Sequence, residues 1–233
     1  IGGMEGALSQ HADEVFLESV DEEEKQATQK LFQALTEKGG DNRGIRRPTR
    51  LDELYDIVSA ESDILKTVVE RFRKPGRTFL MPPVEVSLED DTVVDISHES
   101  LMRVWVNLRQ WVETESQSAR IFVRLAETAQ LHADDKAGLY SDPDLQIALS
   151  WRDEAKPNEA WGCRYHTEYD RAIGFLNQSA EAKQRIEEKK EEVRQRELEQ
   201  AKQLAAIETQ RAEEQAKSAR NLRKMVAAIG LVA

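Results

Sequence analysis

Apolar residues recur every three to four positions along most of this chain, and that period predicts helices. Residues 4–19 set Met4, Leu8, Ala12, Val15 and Phe16 on one side. Asp21 and Glu24 then stand at capping-box spacing before Ala27, Leu31, Phe32 and Leu35, a helix expected to end at Gly39-Gly40. A basic turn follows, with Arg43, Arg46, Arg47, Pro48 and Arg50. Thr49 is placed to cap a short helix bearing Leu51, Leu54, Tyr55 and Val58. The next helix turns Ile64, Leu65, Val68, Val69 and Phe72 inward and stops at Pro75-Gly76. Two helices joined by a tight turn resemble a helix-turn-helix.

The period then changes to two. Val84, Val86 and Leu88 alternate with Glu85 and Ser87, Glu89-Asp90-Asp91 breaks the run, and Thr92 to Ile96 is again β-prone. This predicts a hairpin, and three helices with a hairpin are the parts of a winged helix. A helix is expected from Ser97 to Val112, with a broad apolar face of Leu101, Val104, Trp105, Leu108, Trp111 and Val112. Beyond Glu113 the pattern is wholly helical. Ile121, Phe122, Leu125, Ala126 and Ala129 mark one helix, and Pro143 is suited to the first position of another holding Leu145, Ile147, Leu149 and Trp151. A last helix starts near Lys156-Pro157-Asn158 and carries Trp161, Tyr165, Tyr169, Ile173 and Leu176.

Apolar content collapses near Gln178, and residues 180–224 read as one charged helix. Glu181 with Arg185, Glu192 with Arg196 and Glu213 with Lys217 are spaced as i,i+4 pairs, each worth about 0.2–0.5 kcal/mol. Ile186, Val193 and Ile207 lie on a seven-residue grid that Gln200 interrupts, so a solvated spacer is favoured over a coiled-coil oligomer. The expected layout is mainly α: a helix over 1–20 leading from an upstream region, a winged-helix-like domain with a small β-hairpin over 21–115, a helical domain over 116–179, the long charged helix over 180–224 and an apolar tail over 225–233. That tail follows Arg220, Arg223 and Lys224. It reads either as a helix end that packs on a neighbour or as the first part of a membrane helix, since nine apolar residues fall short of the roughly 20 needed to cross a bilayer.

Charge narrows the function classes. With 33 Lys and Arg against 44 Asp and Glu, the net charge is -11, which argues against general nucleic-acid binding. The second helix of the helix-turn-helix-like pair offers Glu61, Asp63, Lys66, Glu70, Arg71 and Arg73 outward, a mixed set that would bring carboxylates toward phosphates. The arginines of the basic turn serve equally well as partners for acids of a neighbouring domain. The single cysteine, Cys163, cannot form an internal disulfide, and no signal-peptide pattern opens the chain, so a cytoplasmic setting is expected. The start at Ile1-Gly2-Gly3 reads as the interior of a longer protein.

Catalytic signals are missing. There is no Gly-x-x-x-x-Gly-Lys-Ser/Thr loop and no Gly-x-Gly-x-x-Gly, so no nucleotide cofactor is expected to be held by this chain alone. Cys163 and His166 have a helix-compatible spacing, but two ligands do not make a zinc site, and neither metal nor catalytic residues are expected. The most informative short stretch is Ser97-His98-Glu99, a histidine expected at the first turn of a helix, where free N–H groups suit a phosphate. The alternative is that His98 caps its own helix or packs on the hairpin.

Several blocks in order resemble the region after the ATPase core of bacterial STAND-class signalling NTPases. They are Ile1-Gly2-Gly3-Met4-Glu5-Gly6-Ala7-Leu8 with His11-Ala12-Asp13-Glu14-Val15, the arginine-rich turn before Leu51-Asp52-Glu53-Leu54, and Ser97 through Trp105. The likeness continues through Gly138-Leu139-Tyr140 and Leu149-Ser150-Trp151 to about Ser179. The resemblance implies an ATP/ADP switch in the parent protein. ADP would be held between an upstream NTPase domain and a winged helix, with opening and oligomerisation on activation and WD repeats downstream. Eukaryotic relatives carry a Met-His-Asp motif whose histidine meets the ADP β-phosphate, and His98 stands at a similar place between Ser97 and Glu99. The resemblance therefore implies a non-catalytic regulatory segment with His98 sensing phosphate. Its rivals are a winged-helix DNA-binding regulator with a membrane tail and a passive helical scaffold.

Overall fold

The computed structural model describes residues 4–39 and 43–230. The chain is mainly helical, with a few short antiparallel strands. It divides into a folded unit ending at Ser179 and a helical unit beginning at Ala180.

Helix α1 (Met4–Leu17) buries Ala12 and Val15 in the core, with Leu8 and Phe16 packed against it. Helix α2 (Glu22–Ala34) opens with the expected cap, Asp21 Oδ1 accepting from Glu24 N at 2.9 Å. The Glu24 carboxylate accepts from Val20 N at 2.9 Å, one residue earlier than the reciprocal bond of a capping box. This helix stops at Ala34, not at the glycines. Thr36 returns its hydroxyl to Phe32 O, and β1 (Thr36–Lys38) pairs with β2 (Gly44–Arg46) in register Thr36↔Arg46, Glu37↔Ile45, Lys38↔Gly44. Gly40 lies outside the described residues.

The basic stretch is thus not a plain turn. It supplies β2 and then β3 (Thr49–Arg50), which leads directly into α3 (Leu51–Val58). Thr49 does not cap α3: its hydroxyl donates to Arg47 O, and Arg50 takes the cap position without a side-chain bond. Helix α4 (Ser62–Arg73) follows, then β4 (Leu80–Met81) and β5 (Val93–Ile96). The sheet order is β3-β5-β4, both pairings antiparallel.

The strand expected over Val84–Leu88 does not form; its place is taken upstream by β4. Pro82 and Pro83 have no N–H to give a ladder. The Arg73 guanidinium, with its side chain only 2% exposed, takes up neighbouring carbonyls instead: Nη1 donates to Pro82 O, Pro83 O and Val86 O at 3.3, 2.9 and 2.7 Å. Arg73 also grips Glu70 through two bonds of 2.9 and 2.7 Å. Arg71 is buried as well, donating to Glu24 at 2.7 Å and to Ser19 Oγ at 3.3 Å. Both arginines, expected to face outward, are internal clasps.

The helix expected over Ser97–Val112 is broken at Trp105, whose φ of -76° and ψ of 112° are extended. It becomes α5 (Ser100–Val104) and α6 (Val106–Ala133), and the second runs through Glu113 and across residues 115 and 116. Trp105 is fully buried. It meets Phe32 edge-on with centroids 5.0 Å apart and Trp111 at 5.1 Å, while its indole N–H donates to Asp13 at 2.6 Å.

Farther along α6, Phe122, Leu125, Ala126 and Ala129 are buried, as are Leu145, Ala148 and Trp151 of α7 (Asp144–Ala155) and Ala172, Phe175 and Leu176 of α9 (Tyr169–Gly230). Pro143 stands just before α7, as its N-cap. The last expected helix is interrupted. Asn158 caps the four-residue α8 (Glu159–Gly162), and the chain turns before α9 begins. A Cβ on Gly162 would lie 2.3 Å from Tyr169 Cδ2, so only glycine allows this approach.

From Gln184 to Leu222 every residue of α9 is exposed, Ile186, Val193 and Ile207 included. Glu181–Arg185 and Glu192–Arg196 pair at 3.2 and 4.0 Å, whereas Glu213 and Lys217 form no ion pair. Among the described residues no helix is long and apolar enough to cross a membrane; residues 231–233 of the expected apolar tail lie outside them.

Two stability measurements test this packing. Trp105→Ala should cost about 3–5 kcal/mol in denaturant unfolding, while Leu198→Ala on the exposed helix should stay within about 0.5 kcal/mol. Arg77 grips Glu18 through bonds of 2.6 and 2.5 Å and holds its carboxyl below the ordinary 4.5. A depressed carboxyl stabilises fully above pH 4.5 and loses that contribution as pH falls through its folded value. Glu18→Gln should therefore flatten the acid limb of stability against pH.

Candidate functional site

The stretch around His98 is fixed from both sides. Ser97 N donates to Phe79 O at 2.9 Å and Ser97 Oγ to Thr78 O at 2.5 Å, tying the end of β5 to the β4 side. Ser97 is therefore a strand anchor and not a helix cap. On the other flank Arg46 donates to Asp95 Oδ2 at 2.7 Å and to Ile96 O at 3.1 Å. His98 precedes α5, and its carbonyl accepts from Leu101 N at 3.0 Å. Its imidazole is exposed and makes no hydrogen bond among the described residues. Leu101 and Met102, both buried, pin the following turn.

This geometry removes part of the expected phosphate chemistry. Helix α5 has five residues and Glu99 at its N-cap, so it has neither the length for an appreciable macrodipole nor a neutral entrance for an anion. Any contact with phosphate here rests on the imidazole, which stands on a rigid platform with both ring nitrogens free.

The basic segment is committed elsewhere. Arg46 holds Asp95, and Arg50 chelates Asp52 at 3.0 and 2.6 Å. Arg47 lies 3.8 Å from Glu37 and 5.8 Å above the Tyr165 ring. On α4, Arg71 and Arg73 are spent inward, and Lys66 lies over the Tyr55 ring at 5.9 Å. A reading head for the major groove needs free donors on that face, and these are bound.

One buried carboxylate ties distant parts of the folded unit together. Glu115 Oε1 accepts from Trp161 Nε1 at 2.7 Å and from the Tyr165 hydroxyl at 2.6 Å. Burial, then the Glu115 charge, pushes the Tyr165 phenol above its usual range, so it stays a donor. Arg164 beside it donates to Ala34 O at 2.5 Å, and burial followed by repulsion from Arg47 lowers its pKa. The cluster is a strut between α6 and the turn after α8, with no group placed to react. Its signal was present in the sequence: Glu115 falls on the stripe of Leu108, Trp111, Val112, Ser118 and Phe122 that α6 buries. Among the described residues no group of three or more His, Cys, Asp or Glu side chains could hold a metal ion.

The model of the family Novel STAND NTPase 1 matches residues 1–138, more than half of the chain, and the chain belongs to that family. No curated protein and no solved structure matches it.

The strut can be tested by substitution. Glu115→Leu leaves a buried indole N–H and a phenol without an acceptor, which should cost about 1–3 kcal/mol for each, whereas Glu115→Gln keeps an acceptor and should cost less. Urea unfolding of the two variants gives the comparison.

Proposed function

We propose that this chain is a non-catalytic regulatory segment of a STAND-type signal-transduction ATPase, coupling ADP or ATP in a core elsewhere in the protein to parts beyond the charged helix. The observation that carries this reading is His98, unpartnered and exposed on a clamped turn directly after β5. Family membership supports it. So does the topology: α2-β3-α3-α4-β4-β5, with sheet order β3-β5-β4, is read as a winged helix.

In this reading the NTPase domain of the parent holds the nucleotide, and His98 reaches a phosphate oxygen only in the closed state. An imidazole N–H donates to an anionic oxygen, and the Ser97–Thr78 and Arg46–Asp95 bonds keep the ring in place without reorganisation. A contact made in one state alone shifts the closed–open equilibrium by its own energy, about 1–3 kcal/mol. Its loss favours opening and assembly. WD repeats downstream would act as the sensor, with the exposed helix from Ala180 as a solvated spacer. The DNA-binding alternative is disfavoured, because the arginines it needs are held by acids and carbonyls.

Two measurements test this. The isolated chain should show no ATP turnover above buffer. In the full-length parent, His98→Ala should weaken ADP retention by about 5–150-fold, the range of a coupling of this size. Turnover by the isolated chain, or ADP held by the variant as tightly as by the wild type, overturns the proposal.

A further inference from the structure

The folded unit contains a cleft of about 760 Å³ whose walls come from α2, α6, α7 and the loop after α7. That is within the range of about 300–1,000 Å³ typical of small-molecule sites. The cleft adjoins the strut: Glu115 and Trp161 line it, and the 2.7 Å bond between them holds that wall in place.

One polar group of the lining has no use inside the fold. Trp151 of α7 is only 6% exposed and lines the cleft, and its buried indole N–H has no acceptor among the described residues. An unpaired buried donor costs about 1–3 kcal/mol, and folded proteins leave few of them. The neighbouring indole shows the contrast. Trp161, with its ring centroid 6.0 Å from that of Trp151, gives its N–H to Glu115. An acceptor brought by a ligand would remove the cost that Trp151 carries.

The charges of the lining cancel. Lys30 and Lys156 stand against Glu115 and Glu154, so no net charge selects an anion or a cation. The hydrogen-bonding groups are of every kind. Trp151 and the ammonium groups only donate, the carboxylates only accept, and the side-chain amides of Gln29 on α2 and Gln146 on α7 do both. Neither amide makes a hydrogen bond among the described residues. A hydroxyl answers all of these groups, because it donates one bond and accepts two. Pro157, Ile121 and the Trp161 ring add apolar surface for the C–H face of a ring.

We propose that this cleft binds a neutral saccharide, one hydroxyl accepting from Trp151 Nε1 and others bonded to the amides of Gln29 and Gln146. The site is independent of nucleotide sensing at His98, so either can fail without the other.

Titration of the ¹⁵N-labelled chain with glucose, N-acetylglucosamine and maltose, followed by amide and indole resonances, provides the test. At least one sugar should bind saturably in the millimolar range or below and move the Trp151 indole N–H signal, which is identified by its loss in Trp151→Phe. Gluconate and glucosamine, the negative and positive counterparts, should bind more weakly than that sugar. Gln29→Ala and Gln146→Ala should each weaken its binding about two- to tenfold, the worth of one hydrogen bond, at an unchanged melting temperature. Gln146 is exposed, so its variant keeps this arm available if Gln29→Ala does not fold. The proposal is overturned if none of the three sugars saturates, if a charged counterpart binds more tightly than all of them, if the Trp151 signal stays fixed while a sugar binds, or if the folded glutamine variants bind like the wild type.

Discussion

The burial of Trp105 is the constraint on which the folded unit depends. To lie edge-on to Phe32 and Trp111 while giving its N–H to Asp13, the indole needs an extended backbone in the middle of a helical stretch. That break ends α5 after five residues and starts α6 in a new direction. It also draws α1 into the core, because the acceptor is on α1. Asn107 shares that acceptor at 2.9 Å, so one carboxylate serves both sides of the break. The interruption costs local helical bonds, and a fully buried aromatic with a satisfied polar handle offsets that loss.

A second theme is the inward use of arginine. Arg73 clasps the loop after β4, Arg71 crosses to Glu24 and Ser19, and Arg46 clamps β5 through Asp95. Each guanidinium is planar and has five donors, which lets one side chain satisfy several carbonyls or carboxylate oxygens at once. These three guanidinium groups are committed to holding the fold together.

The same clasps prepare the turn at His98. Strand β5 is paired on both edges, Ser97 is bonded to the β4 side, and Leu101 and Met102 anchor the chain immediately afterwards. A side chain on such a support can meet a partner domain with little loss of conformational entropy.

The sequence alone determined the elements whose signals are local. Asp21 and Glu24 marked the start of α2, the three-to-four-residue apolar period placed α3 and α4 on their buried faces, and the loss of aromatic anchors near Gln178 marked where the folded unit ends. His98 stood out in the sequence as a candidate, and the structure places it exposed directly after β5. What tertiary structure decided were the departures from periodicity. No local signal says that Trp105 leaves helical geometry, that Thr36–Lys38 pairs with Gly44–Arg46, or that the strand lies at Leu80–Met81 instead of Val84–Leu88. Each follows from partners far along the chain: Asp13 for Trp105, Val93–Ile96 for β4, Arg73 for the loop carbonyls. Hydrophobic period shows which face a residue must bury, but the three-dimensional arrangement of partners decides where the backbone must break to bury it.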